Sequence, residues 1–473
     1  MDATVRLAEF AFALGPGDIP QRSVEMVTAL AIDTIGCALP AWNAPGVAQL
    51  RCLQSAWSKG TSRVWVTGER MSPAAATLVN SAMAHALEYD DLHSELPIHC
   101  GCVTIPAALA VAETNPSISG AELVAAIVGG TEILCRLARA NRSYRASGFR
   151  GFNPTSIIAG FAAAAVAGRL LGLSASGIAH AMGLSYSQAS GNQQCIEDGG
   201  LAKRMQPGMV AEAGVRAAWL ARAGVTGAID AIEGTNGYFN IYESGEYDPE
   251  FLTKDLGVVF ELDAIAFKRY PICGMAHPAV DALRELRDLH RFAVSDVSNV
   301  RVFGSKFVVD MVGRPYRPGQ NPEVDAQFSV RYCVATVLLT GNVTLTDLKA
   351  ENTLAIERIR LAQTIAVEED RNLKGKWSTR VEVELHNGTK LTRGRENAAG
   401  QSDRRLSIAE LVNKFIDCAA VAGNLHTSDH ARRLCETLVD LPQLSTVAVL
   451  CDLLATWPAL SPELEKTAHA NPA

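Results

Sequence analysis

The sequence has no surplus of positive charge. Its 43 lysines and arginines are outnumbered by 50 aspartates and glutamates, giving a formal net charge of −7. Binding a nucleic-acid backbone requires a concentrated basic surface, so this balance argues against nucleic acid as a partner. A disulfide pattern is also missing, since the eleven cysteines scatter from Cys37 to Cys451 in an odd count without regular spacing, as fits a reducing cytoplasm. The opening stretch makes a poor signal peptide, because Asp2 and Glu9 interrupt it. The most hydrophobic later run, Ile157 to Leu173, contains Arg169 and is short for a membrane span; it reads as a buried helix, and no membrane partner is expected. There is no Gly-x-Ser-x-Gly elbow, and no Rossmann or Walker glycine pattern follows a strand. Serine-hydrolase chemistry and a nucleotide cofactor are therefore not expected. No internal repeat or low-complexity segment occurs.

What is present is ample apolar material. With 473 residues, 48% hydrophobic and 20% charged, the chain exceeds the size at which one core stops growing, and two domains are the default. From Val5 to about Leu262 the pattern is helix after helix. Val24, Val27, Leu30, Ile32 and Ile35 make a broad apolar face over Ser23 to Leu39, and Ser119 with Glu122 reads as a capping box. Further helices are expected over Thr155 to Leu171, Ser176 to Ser185 and Val210 to Arg222. Beyond Phe260 the character changes. Val300, Val302 and Phe303 sit in a strand-like run, Ala326 to Leu339 reads as a helix, and Arg380 to Leu385 alternates with period two. Asn387-Gly388 then turns a hairpin back into Thr389 to Arg393. Helical patterning resumes at Ser407, again with a capping box to Glu410. The expected fold is mainly α with an inserted α+β domain, the helical part spanning 1–266 and 402–473 and a lid-like part spanning 267–401.

The stretch from Ser72 to Ala112 places Glu88, Asp90, Asp91, His93 and His99 where a small-residue helix fails, ahead of a second helix expected to start after Pro106. While the first helix lasts, His85, Glu88 and Asp91 share a face. A carboxylate there could move a proton or orient a base; the alternative is a solvated helix end, although acids there oppose the macrodipole. His85, Asp91, His93, His99, Cys100 and Cys102 are types that suit zinc, but their spacing matches no usual ligand pattern. Lys203 and Arg204, ahead of a helix beginning near Met209, could hold an anion or be a surface pair. Arg150 is a further candidate carboxylate clamp. Lys268, Cys273 and His277 stand at the junction into the inserted domain, where Cys273 alone is more often a small core residue than a nucleophile.

Four segments in order carry a resemblance: the Ser72 to Ala112 stretch with its Tyr-Asp-Asp and PAALA runs, AKRMQPG from Ala202, EGTNGYF from Glu233 and FKRYPICGMAHPAVDAL from Phe267. In these the chain resembles the MmgE/PrpD family. The resemblance implies a helical domain and a smaller α+β domain with the site in the cleft between, a homodimer built through the helical domain, and chemistry on small di- or tricarboxylates without metal or cofactor. It assigns the acidic position, His99, Lys203 and Lys268 to the site. The chain departs from the family's decarboxylase branch at Asn153 and Cys273, where that branch has histidines, and at Met311, where it has a tyrosine. Leu92 and Gln206 also replace polar residues of relatives. On this basis Arg150, Asn153, Arg204, Cys273 and His277 are expected to bind substrate. His99, supported by Glu88 or Asp91, moves a proton, and Lys203 and Lys268 complete the catalytic set. A dehydratase-like lyase is the first expectation, followed by an isomerase or epimerase, a decarboxylase, and a non-catalytic binding protein with the family fold.

Overall fold

A computed structural model describes residues 3–145, 151–373, 375–397, 400, 405–422, 428–455 and 457. The first half is helical, as its periodicity requires: α1 (Gln21–Ala38), α2 (Pro73–His85), α3 (Gly101–Ala112), α4 (Gly120–Ala140), α5 (Pro154–Leu170), α6 (Ala175–Tyr186) and α7 (Ala202–Arg222). Ser72 caps α2 by accepting the Ala75 N–H, with Pro73 in the first turn, where its missing donor has no cost. Ser119 caps α4 in the same way, but Glu122 turns to Arg169 at 3.0 Å instead of closing the box.

Close approach of helices rests on small residues. A β-carbon at Gly208 of α7 would lie 2.6 Å from the Leu78 carbonyl of α2, and one at Gly214 would lie 2.7 Å from the Gly160 carbonyl of α5. Any side chain at either position would force the α7 axis outward, so the site residues at the start of α7 depend on these glycines. Gln21–Ala41 is long and apolar enough to cross a membrane, and most of it is buried inside the protein.

Two helices begin earlier than their prolines led us to expect. Pro106 lies inside α3, which starts at Gly101 because the Asp91 carboxylate accepts the N–H groups of Cys100 and Gly101 at 2.8 and 2.9 Å. Pro207 likewise lies inside α7, so Lys203 and Arg204 occupy its first turn rather than precede it. In each case tertiary contacts outweigh one lost intrahelical bond.

Two hydrophobic cores are present. One gathers buried side chains from Ala3 to Phe267 together with Leu411 to Trp457. The other gathers those from Tyr270 to Leu391. At their boundary, β1 (Leu92–His93) pairs antiparallel with β2 (Ile265–Ala266), and the Phe267 N–H donates to the Gly400 carbonyl at 3.2 Å, so the outgoing and returning chains touch. Beyond it α8 (His277–His290) packs on a four-stranded sheet ordered β4-β3-β5-β6: β3 (Val297–Gly304), β4 (Ala366–Glu369), β5 (Thr379–Leu385) and β6 (Lys390–Arg395). β3 runs parallel to β4 and antiparallel to β5, and the Asn387-Gly388 turn joins β5 to β6 with Gly388 at φ +84°.

The stretch expected as one helix from Ala326 is broken. After α9 (Lys306–Val312) come α10 (Pro322–Gln327) and α11 (Val330–Thr340), separated where Ser329 caps α11 by accepting the Tyr332 N–H. That break sets Phe328 at the domain boundary. Finally α12 (Ile408–Val421), opened by the Ser407–Glu410 capping box, returns against α1.

Candidate active site

A cavity of about 90 Å³ lies between the two cores, walled by the end of α2, the loop after it, the starts of α5 and α7, and the segments carrying Lys268, Met311, Phe328 and Trp377. α2 ends at His85, so Glu88 is off the helix and shares no helical face with His85 or Asp91. Glu88 takes a left-handed backbone, φ +54°, a conformation that costs a non-glycine residue energy and needs outside support. Lys268 supplies that support, donating to the Glu88 carbonyl oxygen at 3.1 Å and to Oε2 at 3.0 Å. Lys203 pairs with Oε1 of the same carboxylate. Two buried ammonium groups thus share one buried carboxylate, which explains an acid placed just past a helix C-terminus. Burial, with the charges of Lys268 and Arg204, pushes the Lys203 pKa down.

The histidine pair is organised by Asp90, where the sequence left open which of Glu88, Asp90 and Asp91 faces the site. Its Oδ2 lies 2.7 Å from His85 Nδ1 and 3.3 Å from His99 Nδ1. His99 Nδ1 also lies 2.6 Å from the Asp91 carbonyl oxygen, which can only accept, so this nitrogen carries the proton and Nε2 is left bare toward the cavity. The two rings meet edge to face at 4.8 Å. Burial works against a charge on Asp90, but the imidazoles outweigh it and hold Asp90 well below the usual carboxylate range. Burial and the Lys203 charge push His85 down to about 3, so it stays neutral. A neutral imidazole with an oriented Nε2 is a competent general base.

Asp91 does not support His99 through its side chain; its carboxylate is committed to the start of α3. Burial and the adjacent Asp90 push its pKa up to about 7. Arg204 does not reach the cavity. Its guanidinium donates to the Pro45 carbonyl at 2.9 Å and to Glu323 at 3.2 Å, tying the helical part to α10. His277 is buried beside the Tyr270 ring, with Nε2 3.3 Å from the Ile272 carbonyl, and does not line the cavity. Asn153 and Cys273 do line it, as does Met311. Arg150 lies outside the described residues.

Of the residues weighed as metal ligands, only His85 and His99 come together. With Asp90 they offer three ligand atoms within 4.8 Å of one another. His93 instead accepts the Glu95 and Leu96 N–H groups, and the Cys100 thiol faces Cys135 at 3.8 Å.

Sequence reasoning also missed Lys414 of α12. Its buried ammonium donates to Asp33 of α1 at 2.7 Å, to the Tyr89 carbonyl at 2.6 Å and to the Lys268 carbonyl at 3.0 Å. It fixes the backbone on both sides of the Glu88–Lys268 contact from behind. Nothing in the spacing of a C-terminal helix signals this.

Residues 5–250 match the model of the MmgE/PrpD N-terminal domain, and residues 270–439 match that of the C-terminal domain. The chain belongs to the MmgE/PrpD family. The C-terminal match runs through α12, which packs in the first core. Similar relatives include a cis-aconitate decarboxylase of Aspergillus terreus, 26% identical over 97% of both chains. A cis-aconitate decarboxylase-like protein of Aspergillus oryzae is 28% identical over 73% of this chain and 75% of its own. A cis-aconitate decarboxylase of Mus musculus is 25% identical over 86% of this chain and 84% of its own. This family membership agrees with the architecture of a large helical part and a smaller α+β part.

Proposed function

We propose that the chain is a lyase that acts on a small carboxylate substrate by moving a proton at the carbon next to a carboxylate. The observation that carries this reading is that one cavity gathers His99, whose Nδ1 is engaged by Asp90 and the Asp91 carbonyl, with the two lysines paired on Glu88. In such a site Lys203 and Lys268 bind the substrate carboxylate and stabilise the enolate that develops from it, in surroundings where few water dipoles compete. His99 removes or returns the proton, and Asp90 holds its ring and supports the imidazolium that forms.

The relatives favour decarboxylation as the bond-breaking step. There the C–C bond to one carboxylate breaks, carbon dioxide leaves with that carbon, and the electron pair passes into the remaining conjugated carboxylate before a proton quenches it. Dehydration is the second reading, favoured by the presence of both a base and ammonium donors around one cavity. Proton NMR in deuterated water with a panel of four- to seven-carbon di- and tricarboxylates separates them. Decarboxylated signals support the first reading and new alkene signals with the carbon count kept support the second. Exchange of a carbon-bound proton without a new constitution would replace both with an isomerase.

A further inference from the structure

The cavity lining is part charged and part apolar: His85, Glu88, His99, Lys203 and Lys268 line it together with Ile196, Met275, Met311, Phe328 and Trp377, and the Lys203 ammonium lies 5.4 Å over the centre of the Phe328 ring. Met275 and Trp377 are buried, and Trp377 lies so close to Gly274 that an added β-carbon there would sit 3.0 Å from its ring. This apolar part of the lining is therefore closely packed. A carboxylate pressed against it would lose its water without gaining a donor, which is costly. An alkyl group would gain on transfer.

Ile196, Met311 and Phe328, with Gln193, also line a second cavity of about 420 Å³ on the far side. The partition between the two spaces is thus mostly apolar, while the second space beyond it is also lined by Glu197, Asp310, Arg314, Arg317 and Asp325.

We propose that the substrate is an alkyl-substituted dicarboxylate, with its carboxylates toward Lys203 and Lys268 and its alkyl group against Met311, Phe328 and Trp377. This rests on the reading of the cavity as an active site but not on which bond is broken.

Binding of unreactive ligands tests this apart from turnover. Isothermal titration of the full chain with 2-alkylsuccinates from methyl to hexyl is expected to show Kd falling about fourfold per methylene over the first few additions. The saturated tricarboxylate propane-1,2,3-tricarboxylate is expected to bind more weakly than any of them. Met311→Lys should reverse that order, and Phe328→Ala should flatten the chain-length gradient while the melting temperature reports that each variant is folded. If Met311→Lys does not fold, Met311→Gln should still flatten the gradient. A Kd independent of chain length, tighter binding of the tricarboxylate, or no binding of the alkyl series at millimolar concentration would each overturn the proposal. Turnover of a plain tricarboxylate alongside any of these would leave the lyase reading standing and remove only the substrate class.

Discussion

The Lys414 ammonium lies 2.6 Å from the carbonyl oxygen of Tyr89, the residue between Glu88 and Asp90. One buried side chain from the end of the sequence thereby holds the backbone that carries both acids of the site. Because Asp33 is its buried counter-ion at 2.7 Å, Lys414→Met leaves an uncompensated charge and should lower stability by about 3–5 kcal/mol, read from urea unfolding. The double variant with Asp33→Asn should recover part of that loss. A double variant that loses the simple sum would show that the two residues are not coupled.

His99→Ala should lower kcat by about 10²–10⁴-fold, with melting temperature little changed. Asp90→Asn keeps an acceptor but loses the charge that supports the imidazolium. Its kcat should fall toward the ~10⁴-fold known for histidine-orienting carboxylates, with KM moving less. Full activity in His99→Ala would remove the base assignment altogether.

Glu88→Gln removes the carboxylate that Lys203 and Lys268 share and leaves two buried ammonium groups facing the cavity. Dicarboxylate inhibitors should then bind more tightly and more salt-dependently, while the unliganded protein becomes less stable. Titrating the same inhibitor against both proteins at two salt concentrations decides the point. Weaker binding to the variant would mean that Glu88 itself contacts the ligand favourably.

Acid should destabilise the fold through buried neutral histidines. Burial and nearby positive charge hold His85 and His277 down to about 3 and His93 to about 4, against about 6.5 when unfolded. The unfolded chain therefore binds more protons below pH 6.5, and each histidine lowers stability as pH falls from there toward its folded pKa. Asp91 and Glu132 are pushed up to about 7 and about 6, chiefly by burial, and act in the opposite sense, losing stability as pH rises through that range. His277→Asn should make the decline between pH 6.5 and 3 shallower by roughly 1.4 kcal/mol per pH unit, measured as urea-derived stability against pH. An unchanged slope would show that His277 is not the titrating group.

Much of the architecture was legible because it rests on local signals. Alternation at Arg380 to Leu385 followed by Asn387-Gly388 reports a half-exposed strand and its turn, and Ser407 with Glu410 reports a helix start. What was not legible depends on side-chain contacts that the hydrophobic pattern does not announce. Pro106 read as a helix start because no spacing rule announces that the Asp91 carboxylate caps α3 at Gly101, five residues before that proline. The break at Phe328 was hidden because Ser329 is a tolerable interior residue until its hydroxyl caps the next helix.

The site divides in the same way. His99, Lys203, Lys268 and Glu88 were read from motif and residue type, and the fold gathers them around one cavity. Arg204 was read with Lys203 because they are neighbours. Successive residues on a helix point roughly 100° apart, however, so when Lys203 faces the cavity Arg204 faces Pro45 and Glu323. The choice among Glu88, Asp90 and Asp91 turns on backbone angles after α2 ends, above all the left-handed Glu88, and no periodicity survives there to be read.

The packing of α1 against α12 governs how the protein is made. A β-carbon at Gly36 would come within 3.2 Å of the Phe415 backbone, so this approach of the two helices requires glycine there. On a ribosome adding about 5–20 residues per second, α1 is synthesised roughly 20–80 s before α12 emerges. Throughout that interval the Gly36 side of α1 and the Asp33 carboxylate lack the Phe415 and Lys414 side chains that meet them in the folded protein. The helical part is therefore completed only after the entire α+β unit has been synthesised.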